Sequence, residues 1–196
     1  MGRSERSLVY GFDESGTSPM MCALVISQYI EDARRYVDEN GNGLIEKRYH
    51  RRFLEPYFEP PEIPDHVENG GGYMRRVVED EIPAMFLYAG VPSSNKPPPN
   101  EYRIKVIANL LRSGSVRKQD KVYIDAFDKP GRIVHYLTRE LYILGIQLPE
   151  NHIICEYHAD EIYPIVNDAD FVANTIYHSR SGEFRDHRVK IDLRTH

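Results

Sequence analysis

Ser7-Leu8-Val9-Tyr10-Gly11-Phe12-Asp13-Glu14-Ser15-Gly16-Thr17-Ser18-Pro19 is the stretch on which the reading of the chain turns. Its first part, Ser7 to Asp13, is dominated by branched and aromatic apolar residues and reads as a strand. Asp13 and Glu14 end that strand, and Ser15, Gly16, Ser18 and Pro19 have the composition of a turn. Met20 to Ser27 (MMCALVIS) is a second apolar run of strand length, so a hairpin is the simplest connection between the two. The chain therefore opens on a hairpin with carboxylates at the end of its first strand.

Beyond Asn100 the pattern is regular. Glu101 to Arg112 reads as a helix with Ile104, Ile107 and Leu111 on one face, and Lys121 to Asp125 (KVYID) as a strand. Arg132 to Leu144 reads as a helix with Val134, Leu137, Leu141 and Leu144 in register, and His152 to Tyr157 (HIICEY) as a strand. Tyr163 to Tyr177 reads as a helix lined by Ile165, Ala169, Val172 and Ile176, and Arg188 to Leu193 as an edge strand. A hairpin followed by helix, strand, helix, strand and helix predicts an α/β fold, a mixed sheet flanked by helices. The middle of the chain differs. Nine of its thirteen prolines lie between Glu55 and Asn100, where they forbid helix interiors and central strands. Residues 55–100 are therefore read as a proline-rich insertion within one domain spanning residues 1–196. Inside it, Tyr73 to Ala89 has a helix-like pattern interrupted at Pro83.

The chain has 196 residues, 41% hydrophobic and 28% charged, which suits one globular domain. A net charge of −5 argues against a protein that merely coats nucleic acid, and leaves room for a cluster of metal-binding acids. Cys22 and Cys155 each sit in an apolar run, which predicts two buried thiols in a reducing cytoplasm. Two cysteines do not make a thiolate zinc site. No apolar run approaches the ~18 residues of a membrane span, and Met1 to Ser7 does not have the pattern of a signal peptide. A cytoplasmic location and no membrane partner are the expectations.

The acids carry most of the functional information. Asp13 and Glu14 end the first strand, Asp125 ends the KVYID strand, and Asp160-Glu161 follows the HIICEY strand. In open α/β sheets, ligands gather at strand ends. Acids converging there repel one another and need cations between them, and all-oxygen clusters select hard ions such as Mg²⁺ or Mn²⁺. Two such ions can activate a water and stabilise the leaving oxygen in phosphodiester cleavage. Asp168 fits a solvated helix face. Asp170 shares a stripe with Val166, Ala173 and Tyr177 beside the apolar face, where an acid needs a partner.

Gly11-Phe12-Asp13-Glu14-Ser15-Gly16-Thr17-Ser18-Pro19 resembles the opening motif of type 2 ribonuclease H, roughly G-x-D-E-[AV]-G-R-G-P. The strand Val122 to Asp125 resembles that family's third acidic strand, and Ala159-Asp160-Glu161-Ile162-Tyr163-Pro164-Ile165-Val166 resembles its A-D-x-x-Y-P-x-V segment. This resemblance implies a ribonuclease-H-like fold, with Asp13, Glu14, Asp125 and Asp160 as metal-binding catalytic carboxylates. A second resemblance is to an uncharacterised family of the same fold, marked by [YF]-x-D-E-S-G and Q-x-A-D-[FL]-[VI]-A. Phe12 to Gly16 matches its first motif, and Asn167-Asp168-Ala169-Asp170-Phe171-Val172-Ala173 its second, with Asn167 in place of Gln. It implies Asp170 as the final ligand, and the sequence leaves the choice between Asp160 and Asp170 open. The G-R-G turn by which type 2 ribonuclease H feels a 2′-hydroxyl is Gly16-Thr17-Ser18 here, so recognition of an RNA–DNA junction does not carry over.

Lys47-Arg48-Tyr49-His50-Arg51-Arg52-Phe53 is the densest basic stretch, and Arg48, Arg51 and Arg52 are the candidate nucleic-acid contacts. Asp38 to Ile45 has the start of a calcium loop but Tyr49 where the bidentate acid belongs, and is read as an Asn-Gly turn. His158, two residues before Asp160, reads as a surface histidine, with proton shuttling as the alternative. The function expected is a divalent-metal-dependent nuclease with two ions, RNA in RNA–DNA hybrids being its narrowest form. The alternative is a catalytically silent nucleic-acid-binding or interaction module of the same fold.

Overall fold

A computed structural model describes residues 7–16, 20–27, 84–91, 99–178 and 188–191. Strands β1 (Val9–Ser15) and β2 (Met20–Ser27) form the expected antiparallel hairpin, with Phe12 opposite Leu24 and Asp13 opposite Ala23. Strand β3 (Ala84–Val91) pairs antiparallel with the whole length of β2. Helix α1 (Asn100–Ser113) leads to strand β4 (Lys121–Asp125), and helix α2 (Pro130–Ile143) to strand β5 (Ile153–Glu156). A short helix α3 (Ala159–Ile162) precedes helix α4 (Pro164–His178). The sheet runs β3-β2-β1-β4-β5, with β4 parallel to both β1 and β5. The expected mixed sheet flanked by helices is thus present. Its three parallel strands all end at one edge, where the acids are.

Both faces of the sheet are covered, which is why its strands read as nearly continuous apolar runs. On one face Tyr10, Phe12, Leu24, Ile26, Val122 and Ile124 pack with residues of α1 and α2. On the other, Ala23, Val25, Phe86, Tyr88 and Tyr123 pack with Ile165, Ala169, Val172 and Ile176 of α4. The helical pattern expected over Tyr73 to Ala89 is corrected where the chain is described: Ala84 to Ala89 is strand. Phe86 and Tyr88 face α4 while Leu87, Ala89 and Val91 face the opposite core, so a period of two prevails. Residues 55–83 and 92–98 lie outside the described residues. The expected edge strand at 188–193 is reduced, among those described, to one parallel bridge between Arg188 and Tyr88.

Gly11 explains how α4 reaches β1. A Cβ at Gly11 would overlap the carbonyl oxygen of Ile165, so only glycine lets the helix backbone pass at this distance. At the other end of β1, Gly16 has φ +78°, and a Cβ there would overlap the Tyr177 ring. Ile165 over Gly11 and Tyr177 over Gly16 mean that α4 runs along β1 in the same direction.

Asp120 anchors the opposite edge. Its fully buried carboxylate accepts the backbone N–H groups of Leu8 at 2.8 Å and Arg117 at 2.7 Å. The Tyr10 hydroxyl donates to the Gly114 carbonyl at 3.0 Å and lies 3.5 Å from Asp120 Oδ2. Burial, followed by the Asp120 charge, holds the Tyr10 phenol far above its ordinary pKa. Asp120→Ala would leave two partly buried amides without their acceptor and a cavity at a fully buried position, and should lower the unfolding free energy by about 2–4 kcal/mol, read by urea denaturation. Gly11→Ala should lower it by about 2 kcal/mol or more, because the displaced atom is backbone and cannot rotate away.

Candidate metal centre

Along α4, Asp170 lies five residues beyond Ile165, which is ~7.5 Å of helix rise. Along β1, Asp13 lies two residues beyond Gly11, which is ~7 Å of strand. The contact at Gly11 therefore brings Asp170 abreast of Asp13. Asp160 comes in from α3, after the chain has left β5 and turned back. His158 makes that turn, with φ 57° and ψ 37° in the left-handed region. The outcome is that Asp13, Asp160 and Asp170 each offer an oxygen, all within 4.8 Å of one another. Asp13 and Asp170 are buried and Asp160 is half-buried. Asp160 and Asp170, between which the sequence left the choice open, both lie close to Asp13.

Two like charges at this separation repel by about 3 kcal/mol even at an effective dielectric of ~20. Three of them in a largely dry site need a cation or protons. The donor set is all oxygen, which suits a hard divalent ion. A further polar atom nearby in sequence is unsatisfied: Asn167 Oδ1, one turn before Asp170 on α4, is buried and has no hydrogen-bond donor among the described residues. Three carboxylates converging as an all-oxygen set fit a divalent cation.

Asp125 borders this cluster. The parallel register ends at Phe12 opposite Ile124, so Asp125 lies one step on, on the same sheet face as Asp13. Its Oδ1 accepts the N–H of Ala159 at 2.8 Å, which ties the start of α3 to the end of β4. Burial pushes the Asp125 pKa up, and the charge of Asp160 adds to the rise against the Ala159 amide and His158.

Glu14 is not brought into the cluster. Alternation along β1 points it to the opposite face, towards α1. There Arg103 Nη1 stands 2.6 Å from Glu14 Oε1, and the guanidinium lies 5.0 Å from the Phe127 ring centroid. Arg103 escaped the sequence reading because the pairing joins distant segments and leaves no local pattern. Asn167 was visible only as a motif position, since its burial depends on tertiary packing. Asp168 departs from expectation too: it is buried, not on a solvated face. Cys22 and Cys155 are free and buried, as predicted. Burial raises the Cys22 thiol pKa strongly and that of Cys155 to about 12, which disfavours the thiolate in both. His158 is exposed, as a surface histidine would be. Arg48, Arg51, Arg52 and the Asp38–Ile45 turn lie outside the described residues. Among the described residues, no helix is long and apolar enough to cross a membrane.

No family profile matches the chain, and no curated protein matches it in sequence. Solved structures match it in shape. A ribonuclease H2 from Pyrococcus horikoshii OT3 aligns with TM-score 0.51 and 17% identity, covering 93% of this chain and 81% of that one. The ribonuclease HII of a complex with PCNA from Archaeoglobus fulgidus aligns with TM-score 0.48 and 16% identity, covering 86% of this chain and 70% of that one. A point mutant of Bst-RNase HIII aligns with TM-score 0.47 and 14% identity, covering 88% of this chain and 52% of that one. With the strand order and acidic edge already in place, the match to the Pyrococcus structure establishes that this chain has a ribonuclease-H-like fold.

Proposed function

We propose that the protein is a divalent-metal-dependent nuclease that hydrolyses phosphodiester bonds of nucleic acid. The observation that carries this reading is the convergence of Asp13, Asp160 and Asp170 at the carboxyl edge of parallel strands. A divalent ion held there, Mg²⁺ or Mn²⁺, supplies Lewis acidity towards a phosphoryl oxygen and a nucleophile at neutral pH. Asp13 and Asp170 belong to elements locked together through Gly11, so their carboxylates are held without reorganisation. Asp125 fixes α3 by accepting the Ala159 N–H and thereby positions Asp160. Half-exposed Asp160 is the member that meets substrate from the solvent side. A second ion would draw on Asp125 beside Asp160.

RNA within RNA–DNA hybrids is the narrowest substrate reading, and it rests on the opening motif and the fold. Gly16-Thr17-Ser18 supplies no arginine for a junction. Arg48, Arg51 and Arg52 are proposed to grip the strand. Two buried thiols suit a cytoplasmic setting. The Glu14–Arg103 pair favours the alternative, a catalytically silent binding module, because it takes one expected carboxylate out of the cluster.

A cleavage panel with Mg²⁺ and with Mn²⁺ separates the two readings. Its substrates are RNA–DNA hybrid, duplex DNA with one ribonucleotide, single-stranded RNA, and single- and double-stranded DNA. The nuclease reading expects cutting that needs metal and falls at least about a hundredfold in Asp13→Asn. Parent protein that binds metal and cuts nothing would transfer the assignment to the silent module.

Asp125 offers a check without substrate. Its folded pKa is raised above the unfolded value, so ionised Asp125 opposes folding and the penalty appears as pH rises. Asp125→Asn keeps an acceptor for the Ala159 N–H and removes the charge. In chelator, the variant should melt at or above the parent near neutral pH. That difference should vanish as pH falls below the ordinary carboxylate range, about pH 4. A variant that melts lower at neutral pH and higher in acid would contradict the proposed repulsion with Asp160.

A further inference from the structure

Among the described residues, Asn167 is a neutral polar side chain close in sequence to the cluster with a buried, unsatisfied oxygen. Its residue is 2% exposed, and Oδ1 is buried with no donor among the described residues. Buried amide oxygens are nearly always satisfied, and one that is not destabilises the fold by about 1–3 kcal/mol. Its backbone is engaged in the ordinary way, with the N–H donating to the Tyr163 carbonyl at 3.1 Å, so the anomaly belongs to the side chain.

Its position gives the reason. Asn167 and Asp170 are three apart on α4, which places them on one flank of the helix with Cβ atoms roughly 5–6 Å apart. Asp170 belongs to the three-aspartate cluster. The bond from Asn167 N–H to Tyr163 also sets this turn of α4 directly after α3, the element that carries Asp160. Hard divalent cations take about six oxygen ligands, and three carboxylates already carry more negative charge than one such ion neutralises. A neutral carbonyl oxygen adds a donor without adding charge.

We propose that Asn167 Oδ1 is a fourth, neutral oxygen donor of the aspartate centre, directed at the divalent ion or at a water in its coordination sphere. This rests on the metal-dependent reading above and adds a ligand to it. An amide held only for packing would behave differently, because its removal would lower stability and leave metal affinity alone.

The test is Mn²⁺ titration by calorimetry of full-length parent, Asn167→Leu and Asn167→Asp, with thermal melting of each in chelator. Asn167→Leu is expected to weaken Mn²⁺ binding about tenfold, in line with the loss of a metal-site partner, while melting in chelator no lower than the parent. Asn167→Asp retains an oxygen and is expected to bind at least as tightly as the parent. Mn²⁺ affinity of Asn167→Leu within twofold of the parent would overturn the proposal, as would a loss in Asn167→Asp as large as that in Asn167→Leu. If Asn167→Leu fails to fold, Asn167→Ala takes its place under the same criterion. Parent protein that binds no Mn²⁺ would remove the metal-dependent reading itself, an outcome distinct from a parent that binds and a leucine variant that binds equally.

Discussion

The contact that the site depends on is between two backbones. Helix α4 lies on β1 so closely at Gly11 that a single methyl group would strike the Ile165 carbonyl. Side chains usually hold a helix about 10 Å from a sheet, and a missing one lets it come nearer. Nearness at Gly11 is what gives the short Asp170 side chain its reach to Asp13. The cluster is thus a consequence of packing distance, and the packing distance is a consequence of a residue that carries no chemistry.

The edges at which the parallel strands begin and end treat buried acid in opposite ways. At the amino edge, Asp120 is buried completely and accepts the N–H groups of Leu8 and Arg117, with the Tyr10 hydroxyl 3.5 Å away. Folding alone satisfies that carboxylate. At the carboxyl edge, Asp13, Asp160 and Asp170 face one another across less than 5 Å, and the pKa of Asp125 beside them is driven up. Repulsion concentrated at the strand ends where α/β folds bind ligands points to function, because structure alone gains nothing from it.

Much of this was legible in one dimension. The hairpin, the KVYID strand and the last helix are strongly periodic, and their periods survive packing because the residues that set them face the two cores. Asp13, Asp125, Asp160 and Asp170 were identified from strand ends and motifs. What escaped were features made by pairing across the fold. Ala84 to Ala89 looked helical because its apolar residues admit either period, and only pairing with β2 selects the strand. Asp168 looked solvated because the wheel of α4 says nothing about what covers its outer side. The orphaned oxygen of Asn167 and the Arg103 partner of Glu14 have no signature in a linear pattern.

Glu14 shows what a motif omits. Adjacent acids in a sequence suggest a shared ion, but neighbours on a regular strand point to opposite sides of the sheet. For both to serve one ion, the strand must end or twist between them. Here the pairing of β1 with β2 continues through Glu14 to Ser15, so Asp13 and Glu14 stay on separate faces. The freed position is then used: Glu14 meets Arg103, which in turn rests on Phe127 just beyond β4. A half-buried pair of this kind joins α1 to the carboxyl edge, and its guanidinium offsets negative charge close to the cluster. Asp125, by contrast, stays on the α4 side of the sheet with Asp13.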